Sequence, residues 1–366
     1  MVIEYAKAEK ENAILVAVAA STRVKQDVEN SLDELKMLTI SSGAKVAEKR
    51  IQVRQRINPA LYIGKGFAEQ LKEAVTSEVC NCIIFDDTLT PAQQRNLEEK
   101  LEAKVIDRAI LILDIFASRA RTAASRLQVE LAQLEYTLPR LTGAWVHFSR
   151  QYGGIGAKGP GETQLEIDRR QVRARISHLK KKLEKLDKQR ETQRKKRHHQ
   201  FNVALVGYTN AGKSTLFNRL TKSEVKTANM LFTTLDSTTR IMSSGYPCRI
   251  LFSDTVGFIK KLPHQLIESF KSTLEEVKQA DLLLHVADSS DVDIEERVAQ
   301  TKKVLSEIKA DKIPHLMVYN KIDKNHDFEP LPENDSKDFK ISAIKGTGIN
   351  SLQAEIVARS GRKAEY

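Results

Sequence analysis

Short apolar runs alternate with longer amphipathic stretches over the first hundred residues of the chain. The runs are rich in β-branched residues, which predicts strands, and the stretches place apolar residues at helical spacing. The predicted strands are 12–18, 45–47 and 82–86, and the predicted helices are 27–38, 66–77 and 91–101. Strands that alternate with helices indicate a small, mainly parallel sheet. The pattern therefore predicts an α/β domain over residues 1–110.

The middle of the chain carries two apolar stripes with the 4,3 spacing of a coiled-coil seam. The first stripe is Leu127, Leu131, Leu134 and Leu138, and the second is Leu165, Val172, Ile176, Leu179, Leu183 and Leu186. Pro139 limits the first helix. Since neither helix hides its stripe alone, we predict an antiparallel, coiled-coil-like hairpin over residues 111–198. Its tip is the glycine-rich segment 143–161, a length typical of a functional or disordered loop.

Residues 207–214 read Gly-Tyr-Thr-Asn-Ala-Gly-Lys-Ser and fit the phosphate-loop pattern G-x-x-x-x-G-K-[ST]. A strand-like run precedes this loop and a helical stretch follows it. In such a loop, backbone N–H groups surround a phosphate and the helix N-terminus adds its positive end. Lys213 would reach the β- and γ-phosphates, and the Ser214 hydroxyl would bind Mg²⁺. The third region, residues 199–366, is therefore predicted to be a P-loop domain.

Further motifs follow the loop in order and indicate that the base is guanine. Asp254 ends a strand-like run and would hold Mg²⁺ through water, while Gly257 would bring its N–H to the γ-phosphate. Asp323 closes the motif Asn-Lys-Ile-Asp, and its carboxylate can accept from N1–H and N2–H₂ of guanine. Adenine lacks that pair of donors, so a site built in this way rejects ATP. The region is thus predicted to be a GTPase domain.

Two remaining segments complete the predicted site. The backbone of 342–344 would touch guanine O6, and 232–236 is a candidate switch in which Thr234 caps the γ-phosphate and Mg²⁺. The predicted catalytic residues are Lys213, Thr234 and Gly257, and the predicted Mg²⁺ ligands are Ser214, Thr234 and, through water, Asp254. The predicted GTP contacts are Gly207, Tyr208, Thr209, Asn210, Ala211, Gly212, Lys213, Ser214, Thr215, Phe232, Thr233, Thr234, Leu235, Asp236, Asp254, Thr255, Val256, Gly257, Asn320, Lys321, Ile322, Asp323, Ser342, Ala343 and Ile344.

Two residues of this site have two interpretations each. Phe258 stands where many small GTPases carry a glutamine that orients the attacking water, so unassisted turnover is expected to be slow, on the order of 10⁻⁴ s⁻¹. A partner or another group would then place the water. Phe258 can also be a packing residue; the two interpretations are compatible, and neither restores the amide. Asn210 resembles the loop asparagine of GTPases that potassium activates, which predicts a shared K⁺. Alternatively, it is a loop asparagine that tolerates an unusual backbone angle.

The net charge of +11 is concentrated in one segment. Residues 165–200 hold fourteen Lys or Arg against five Asp or Glu, which indicates a polyanionic partner, nucleic acid first. The alternative is a solvated helix face with a disordered basic linker. Aromatic and cationic residues in the glycine-rich tip suit base stacking and phosphate contact, although a floppy surface loop would also carry them. The candidate RNA contacts are Trp145, Arg150, Tyr152, Lys158, Arg169 and Arg170.

Cysteine usage and hydropathy indicate the compartment. The three cysteines, Cys80, Cys82 and Cys248, form neither a C-x-x-C pair nor a metal-ligand set, which favours a reducing cytosol. The chain carries no apolar run of membrane-spanning length and no secretion signal. The sequence therefore predicts a cytoplasmic protein. A monomer is expected, although no pattern in the sequence reports the oligomeric state.

The string at 153–170, Gly-Gly-Ile-Gly-Ala-Lys-Gly-Pro-Gly-Glu-Thr-Gln-Leu-Glu-Ile-Asp-Arg-Arg, resembles the signature of HflX-type GTPases, a translation-factor-related class. Other segments that resemble the family are 106–108, 115–122, 128–133, 139–141, 231–236 and 254–258. The resemblance implies an N-terminal α/β domain, a helical hairpin and a GTPase domain. It also implies binding to the large ribosomal subunit, with the hairpin loop reaching toward the peptidyl-transferase region, and GTP-dependent splitting of stalled or idle ribosomes under stress.

Two other functions remain open from the residues. One is an RNA-binding regulatory GTPase, acting in stress signalling or ribosome assembly, that splits nothing. The other is an ATP-driven RNA remodeller, which the guanine-specific carboxylate of Asp323 disfavours. Deleting the glycine-rich tip distinguishes the first of these from a splitting factor, and comparing GTP with ATP affinity tests the second.

Overall fold

A computed structural model describes most of the chain. The described residues are 11–77, 80–141, 164–195, 200–223, 231–232, 238–242, 249–261, 271–331 and 337–363. They divide into two compact units, Met1–Ser118 with Val129–Lys181, and Arg119–Gln128 with Lys182–Tyr366. The predicted domain limits, at 110/111 and 198/199, stay a prediction. None of the helices in the described ranges is both long and apolar enough to cross a membrane.

The first unit contains, within its described residues, a four-stranded parallel sheet in the order β2-β1-β3-β4. Its strands are β1 (Asn12–Ala19), β2 (Lys45–Val53), β3 (Cys82–Phe85) and β4 (Lys104–Asp107). Its helices are α1 (Lys25–Ser42), which follows a 3₁₀ turn at Thr22–Val24, then α2 (Lys65–Ser77), α3 (Pro91–Leu101) and α4 (Arg108–Arg119). The predicted N-terminal α/β domain with a parallel sheet is therefore confirmed.

Local chemistry sets the limits of these elements. Helix α3 begins at a capping box in which the Thr90 hydroxyl accepts from Gln93 N, while the Gln93 side chain accepts from Thr90 N. Pro91 occupies the first helical turn, where no hydrogen bond is lost. Helix α1 ends at Gly43, whose φ of 96° lies in the left-handed region. These signals are local in sequence, so they can be recognised before the fold is known.

A buried ionic network closes the carboxyl edge of this sheet. Arg108, at the start of α4, donates to Asp86 Oδ1 at 2.7 Å and to Glu34. Ser31 on α1 donates to Asp86 Oδ2 at 2.7 Å. The side chains of Arg108 and Asp86 are 1% and 0% exposed, so the guanidinium compensates a carboxylate that water does not reach. The network ties α1, β3 and α4 together.

The helical region consists, where it is described, of α5 (Ala123–Thr137) and α6 (Gln164–Lys195). All six positions of the second predicted stripe are buried or half-buried, and Leu179 is fully buried. Ion pairs join Glu130 to Arg175 and Glu135 to Lys180, each at 2.7 Å. Both ion pairs join α5 to α6, so the two predicted helices contact each other.

The second unit contains, within its described residues, a six-stranded sheet in the order β10-β9-β8-β5-β7-β6. Strand β6 is antiparallel to β7, and the other pairs are parallel. The strands are β5 (Phe201–Val206), β6 (Thr238–Ile241), β7 (Ile250–Asp254), β8 (Leu282–Asp288), β9 (His315–Asn320) and β10 (Asp338–Lys340). The helices are α7 (Lys213–Thr221), α8 (Lys271–Lys278), α9 (Ile294–Glu307) and α10 (Ile349–Lys363). Since β5, β7, β8 and β9 are parallel, the segments that follow them meet at one edge.

Candidate functional site

The loop at 207–212 leaves β5 at the carboxyl edge of the sheet and enters α7. Gly207 has a φ of 145°, and a Cβ there would lie 2.2 Å from the carbonyl oxygen of Val286. Gly212 has a φ of 91°, and a Cβ there would lie 2.2 Å from Asn320 Nδ2. Any larger residue would therefore push the loop away from β8 and β9. This packing requires glycine at both positions of the motif.

Lys213 is fully buried beneath the loop. Its ammonium donates to Gly207 O at 2.9 Å and to Tyr208 O at 2.7 Å. Burial lowers the pKa of Lys213 to about 8, and the nearby Asp254 carboxylate opposes this shift. The ammonium is thus held in the site by neutral carbonyl oxygens. A phosphate oxygen is the anionic partner that such a buried cation lacks among these hydrogen bonds.

Ser214 and Asp254 lie together behind the loop. The Ser214 hydroxyl donates to Asp254 Oδ2 at 2.6 Å, and Asp254 is 0% exposed at the end of β7. Thr255 donates to Leu205 O at 2.6 Å and thereby ties the end of β7 to β5. A hydroxyl and a carboxylate are hard oxygen ligands of the kind that Mg²⁺ takes beside phosphates. The chemistry and spacing of this pair therefore fit a magnesium ion.

Gly257 lies directly against the phosphate loop. A Cβ at this position would be 2.8 Å from Thr209 Cγ2 and 2.9 Å from Lys213 Nζ. The backbone of Gly257 is therefore close to the buried ammonium, the place where the sequence predicts contact with a γ-phosphate. Glycine is the residue that permits this approach.

The base motif is connected to the phosphate loop by Asn320. Its Nδ2 donates to Ala211 O at 2.9 Å, and its Oδ1 accepts from Ala343 N at 3.0 Å. Lys321 donates to Asn210 O at 2.8 Å and to Asp288 Oδ2 at 2.6 Å. These contacts hold two loops that are distant in sequence in a fixed geometry.

Asp323 belongs to the base motif and is held by the loop that contains Ser342. The Ser342 hydroxyl donates to Asp323 Oδ1 at 2.6 Å and also accepts from Lys345 N at 3.1 Å. The bond from Ser342 orients the Asp323 carboxylate and lowers the pKa of this carboxyl. An ionised carboxylate is acceptor-only, as recognition of two guanine donors requires. Ile322 donates its N–H to Ile341 O, and Ile344 is 70% exposed beside them.

The structure shows the local environment of Phe258 and Asn210, the two residues with two interpretations each. Phe258 is 3% exposed and packs in a core cluster with Val206 and Leu283, as the packing interpretation requires. Asn210 has a φ of 61°, the left-handed backbone that the second interpretation of this residue requires. The structure thus gives each residue a local reason for its identity. The predicted potassium site stays a prediction.

Some predicted residues are placed and others lie outside the described part of the chain. Phe232 is 2% exposed, and Thr215 lies in α7. Arg169 and Arg170 lie on α6, half-buried and exposed respectively. The predicted residues outside the described ranges are Thr233, Thr234, Leu235, Asp236, Trp145, Arg150, Tyr152 and Lys158.

The sequence analysis did not predict two contacts at the carboxyl edge of this sheet. Asp288 binds Lys321 from the end of β8, a strand that the sequence analysis did not predict. The Tyr208 hydroxyl accepts from Lys260 N at 2.8 Å across 52 residues of chain. An apolar run at 282–287 was a signal for the strand. No pattern in the sequence indicates the tyrosine contact.

Three family models match consecutive parts of the chain. Their descriptions are GTP-binding GTPase N-terminal for residues 29–117, GTP-binding GTPase Middle Region for 119–197, and 50S ribosome-binding GTPase for 202–321. The third of these covers the phosphate loop and the residues that follow it, up to Lys321.

Curated relatives match along most of their own length. GTPase HflX of Escherichia coli is 46% identical over 363 residues, which are 97% of this chain and 84% of that protein. GTPase HflX of Caldanaerobacter subterraneus is 49% identical and covers 94% of this chain and 79% of that protein. Among solved structures, the complex of SsGBP with GDP is 25% identical with a TM-score of 0.51, and covers 96% of this chain and 99% of that one.

Proposed function

Because the chain belongs to the HflX family of GTPases, we propose that its cycle of GTP binding and hydrolysis acts on the large ribosomal subunit. The family identity makes it an enzyme that hydrolyses GTP to GDP and phosphate. The observation that carries the ribosomal part is the match of residues 202–321 to the model described as 50S ribosome-binding GTPase. The exposed cations of α6 support it independently.

The phosphate end of the site uses a few buried groups. Lys213 exchanges its bonds to Gly207 O and Tyr208 O for phosphate oxygens, so binding replaces neutral partners by an anion. The N–H of Gly257 approaches the γ-phosphate beside the same ammonium. Ser214 and Thr234 would hold Mg²⁺ directly, and Asp254 would hold it through water. Magnesium bound there would supply positive charge beside the phosphate oxygens.

Guanine is selected at the other end of the loop. Asp323 accepts from two donors of the base, while the bond from Ser342 orients its carboxylate. Asn320 ties the base loop to the phosphate loop through Ala211 and Ala343. An adenine base leaves the Asp323 carboxylate without these donors, and that loss excludes ATP. The related SsGBP structure was solved with GDP, in agreement with this choice of base.

Turnover without a partner is slow because Phe258 is packed in the core and carries no amide for the attacking water. The ribosome then completes the site and accelerates hydrolysis. A potassium ion shared between Asn210 and the phosphates would add to the rate of hydrolysis. Equal rates in sodium and potassium buffers would exclude this contribution. These features describe a switch that its partner activates.

The helical region is the ribosomal probe in this proposal. Helix α6 exposes cations to solvent over several turns, which suits contact with rRNA phosphates. The exposed cations are Arg170, Arg173, Arg175, Lys180, Lys181, Lys182, Lys185 and Lys188. The tip residues Trp145, Arg150, Tyr152 and Lys158 and the adjacent Arg169 extend the same probe. The protein then splits stalled or idle ribosomes in the cytoplasm under stress, acting as a monomer.

Hydrolysis by the pure protein with and without large subunits tests the ribosomal role. We expect strong stimulation, on the order of 10³-fold or more, as for other switch GTPases that a partner activates. A Lys213→Met variant measured with the same subunits controls for contaminating GTPases. Unchanged turnover with intact subunits contradicts the proposal and leaves the GTPase assignment intact.

Splitting needs its own measurement, because an RNA-binding regulatory GTPase could also be stimulated. Intact 70S particles are sedimented after incubation with the protein and a non-hydrolysable GTP analogue, or with GDP as the control. We expect separated subunits with the analogue, and fewer with a variant in which 145–161 is deleted. If the deletion preserves splitting but abolishes another RNA contact, the regulatory role is favoured over the splitting role.

A further inference from the structure

The phosphate loop is joined to the segment after β7 by a short ladder of hydrogen bonds. Thr209 N donates to Phe258 O at 2.8 Å, and Phe258 N donates to Gly207 O at 3.1 Å. One step further along, Lys260 N donates to the hydroxyl of Tyr208 at 2.8 Å. The first two bonds are backbone pairing that almost any residue can make. The third depends on a single side-chain oxygen.

Tyr208 is itself held by helix α9. It is 5% exposed, and the guanidinium carbon of Arg297 lies 4.9 Å from the centre of its ring. The adjacent Glu296 accepts from Lys260 Nζ at 2.6 Å. The first turn of α9 therefore contacts both partners of the hydroxyl bond. The ring has little freedom to turn its oxygen away from Lys260 N.

The hydroxyl bond lies close to Gly257 in the segment after β7. That glycine lies against Thr209 and the Lys213 ammonium, three residues before Lys260. Before Gly257 the segment continues from β7, and after Gly257 the N–H of Lys260 is held by the hydroxyl of Tyr208. Phe258, between the two, has its side chain in the core and contributes backbone bonds alone to this ladder.

We propose that Tyr208 is a positioning residue for GTP hydrolysis, whose hydroxyl holds Lys260 N–H and so fixes the Gly257 backbone against the phosphate loop. The proposal rests on the role given above to Gly257. Catalysis by a site without a glutamine depends on placement, and a displacement of about 1 Å can cost about 100-fold in rate. Removal of the hydroxyl leaves Lys260 N–H in a partly buried place without that acceptor, so the segment relaxes away from the loop.

Replacement of Tyr208 by phenylalanine removes one oxygen and keeps the ring under Arg297. In the full chain, we expect Y208F to lower basal kcat by about tenfold while KM for GTP and the Kd for GDP stay within about twofold. Tyr319→Phe is the matched control, because the Tyr319 hydroxyl accepts a backbone N–H in the same way, from Leu331 at 3.1 Å. Both variants should lose a similar amount of thermal stability, and Y319F should keep its kcat.

The pattern of the results decides the proposal. An unchanged kcat in Y208F overturns it, and so does a loss of kcat that Y319F reproduces at equal loss of melting temperature. A parallel loss of GDP affinity also overturns it, because that marks a collapsed nucleotide loop. Lys213→Met, measured beside them, separates this inference from the proposed site. If K213M keeps its activity, the site itself is wrong; if K213M is inactive and Y208F is normal, the positioning role alone fails.

Discussion

At the scale of single residues, the carboxylate of Asp323 decides which base the site can accept. The hydroxyl of Ser342, 2.6 Å away, orients this carboxylate and lowers its pKa, and guanine can present two N–H donors to it. Replacement by asparagine substitutes a donor for one acceptor oxygen. The asparagine N–H₂ then faces an N–H donor of guanine. Two donors repel each other, whereas the carboxylate accepted from that donor.

We predict that Asp323→Asn lowers GDP affinity by about 100-fold, since hydrogen bonds from the base to a charged acceptor are lost. The same variant should gain affinity for xanthosine diphosphate, whose carbonyl oxygen replaces the donor at that place. Competition against a fluorescent guanine nucleotide measures both changes. Ser342→Ala, which removes the orienting bond and keeps the carboxylate, should cost less than the Asp323 variant. Equal GDP affinity in wild type and D323N would falsify the base assignment.

The residues of the predicted site could be recognised because fixed spacing accompanies their chemistry. The loop of residues 207–214 and the motif ending at Asp323 were found in this way, and the structure brings both to one edge of the sheet. The Tyr208 hydroxyl could not be found, because its partner is a backbone N–H that any residue at position 260 supplies. A contact to a backbone N–H does not restrict the residue type at the partner position, so the sequence does not reveal it.

At the scale of elements, the network around Arg108 fixes α1 and α4 on the N-terminal sheet. The Arg108–Asp86 pair is almost fully buried, so either charge alone would be stranded away from water. Breaking a buried pair by removing one partner is far more destabilising than the pair is stabilising. The pair of Lys72 and Glu102, at 2.6 Å, is exposed, so removing one of its partners does not leave a buried charge.

We predict that Arg108→Met destabilises the N-terminal sheet by about 3–5 kcal/mol, because Asp86 stays buried without its cation. Hydrogen exchange of amides in β1 and β3 measures the opening free energy of that sheet directly. Lys72→Met is the matched control and should cost less than about 1 kcal/mol, since its pair is exposed. Adding Asp86→Asn to the Arg108 variant should recover part of the loss. A loss no greater than that of the control would show that the network contributes little.

Element limits were predictable where local signals set them. The limits of α3 follow from its capping box and Pro91, and the run at 201–206 is the strand β5. Strand β6 was missed because its four residues, Thr238–Ile241, are half-buried or exposed and carry no apolar run.

At the scale of the whole molecule, the basic charge is placed where a polyanion can reach it. Two cations of α6, Arg175 and Lys180, pair with carboxylates on α5. Lys181, Lys182 and Lys185 are exposed beyond these pairs. Phosphate contacts release condensed counterions, so each contact adds to the salt dependence of binding. The slope of affinity against salt therefore counts the cations that touch rRNA.

We predict that replacing Lys181, Lys182 and Lys185 by glutamine weakens binding to large subunits and flattens its salt dependence. If all three contact phosphates, the slope of log K against log salt should fall by about 2–3, because each contact contributes about 0.7–0.9. The control removes three lysines that pair with carboxylates on the first unit, Lys49, Lys72 and Lys100, and changes net charge by the same amount. Sedimentation with subunits over a series of potassium concentrations gives both slopes. Basal GTP hydrolysis in both variants should stay that of the wild type, because none of these lysines belongs to the nucleotide site. Equal salt slopes for the two triple variants would mean that α6 acts through net charge alone and does not touch the RNA.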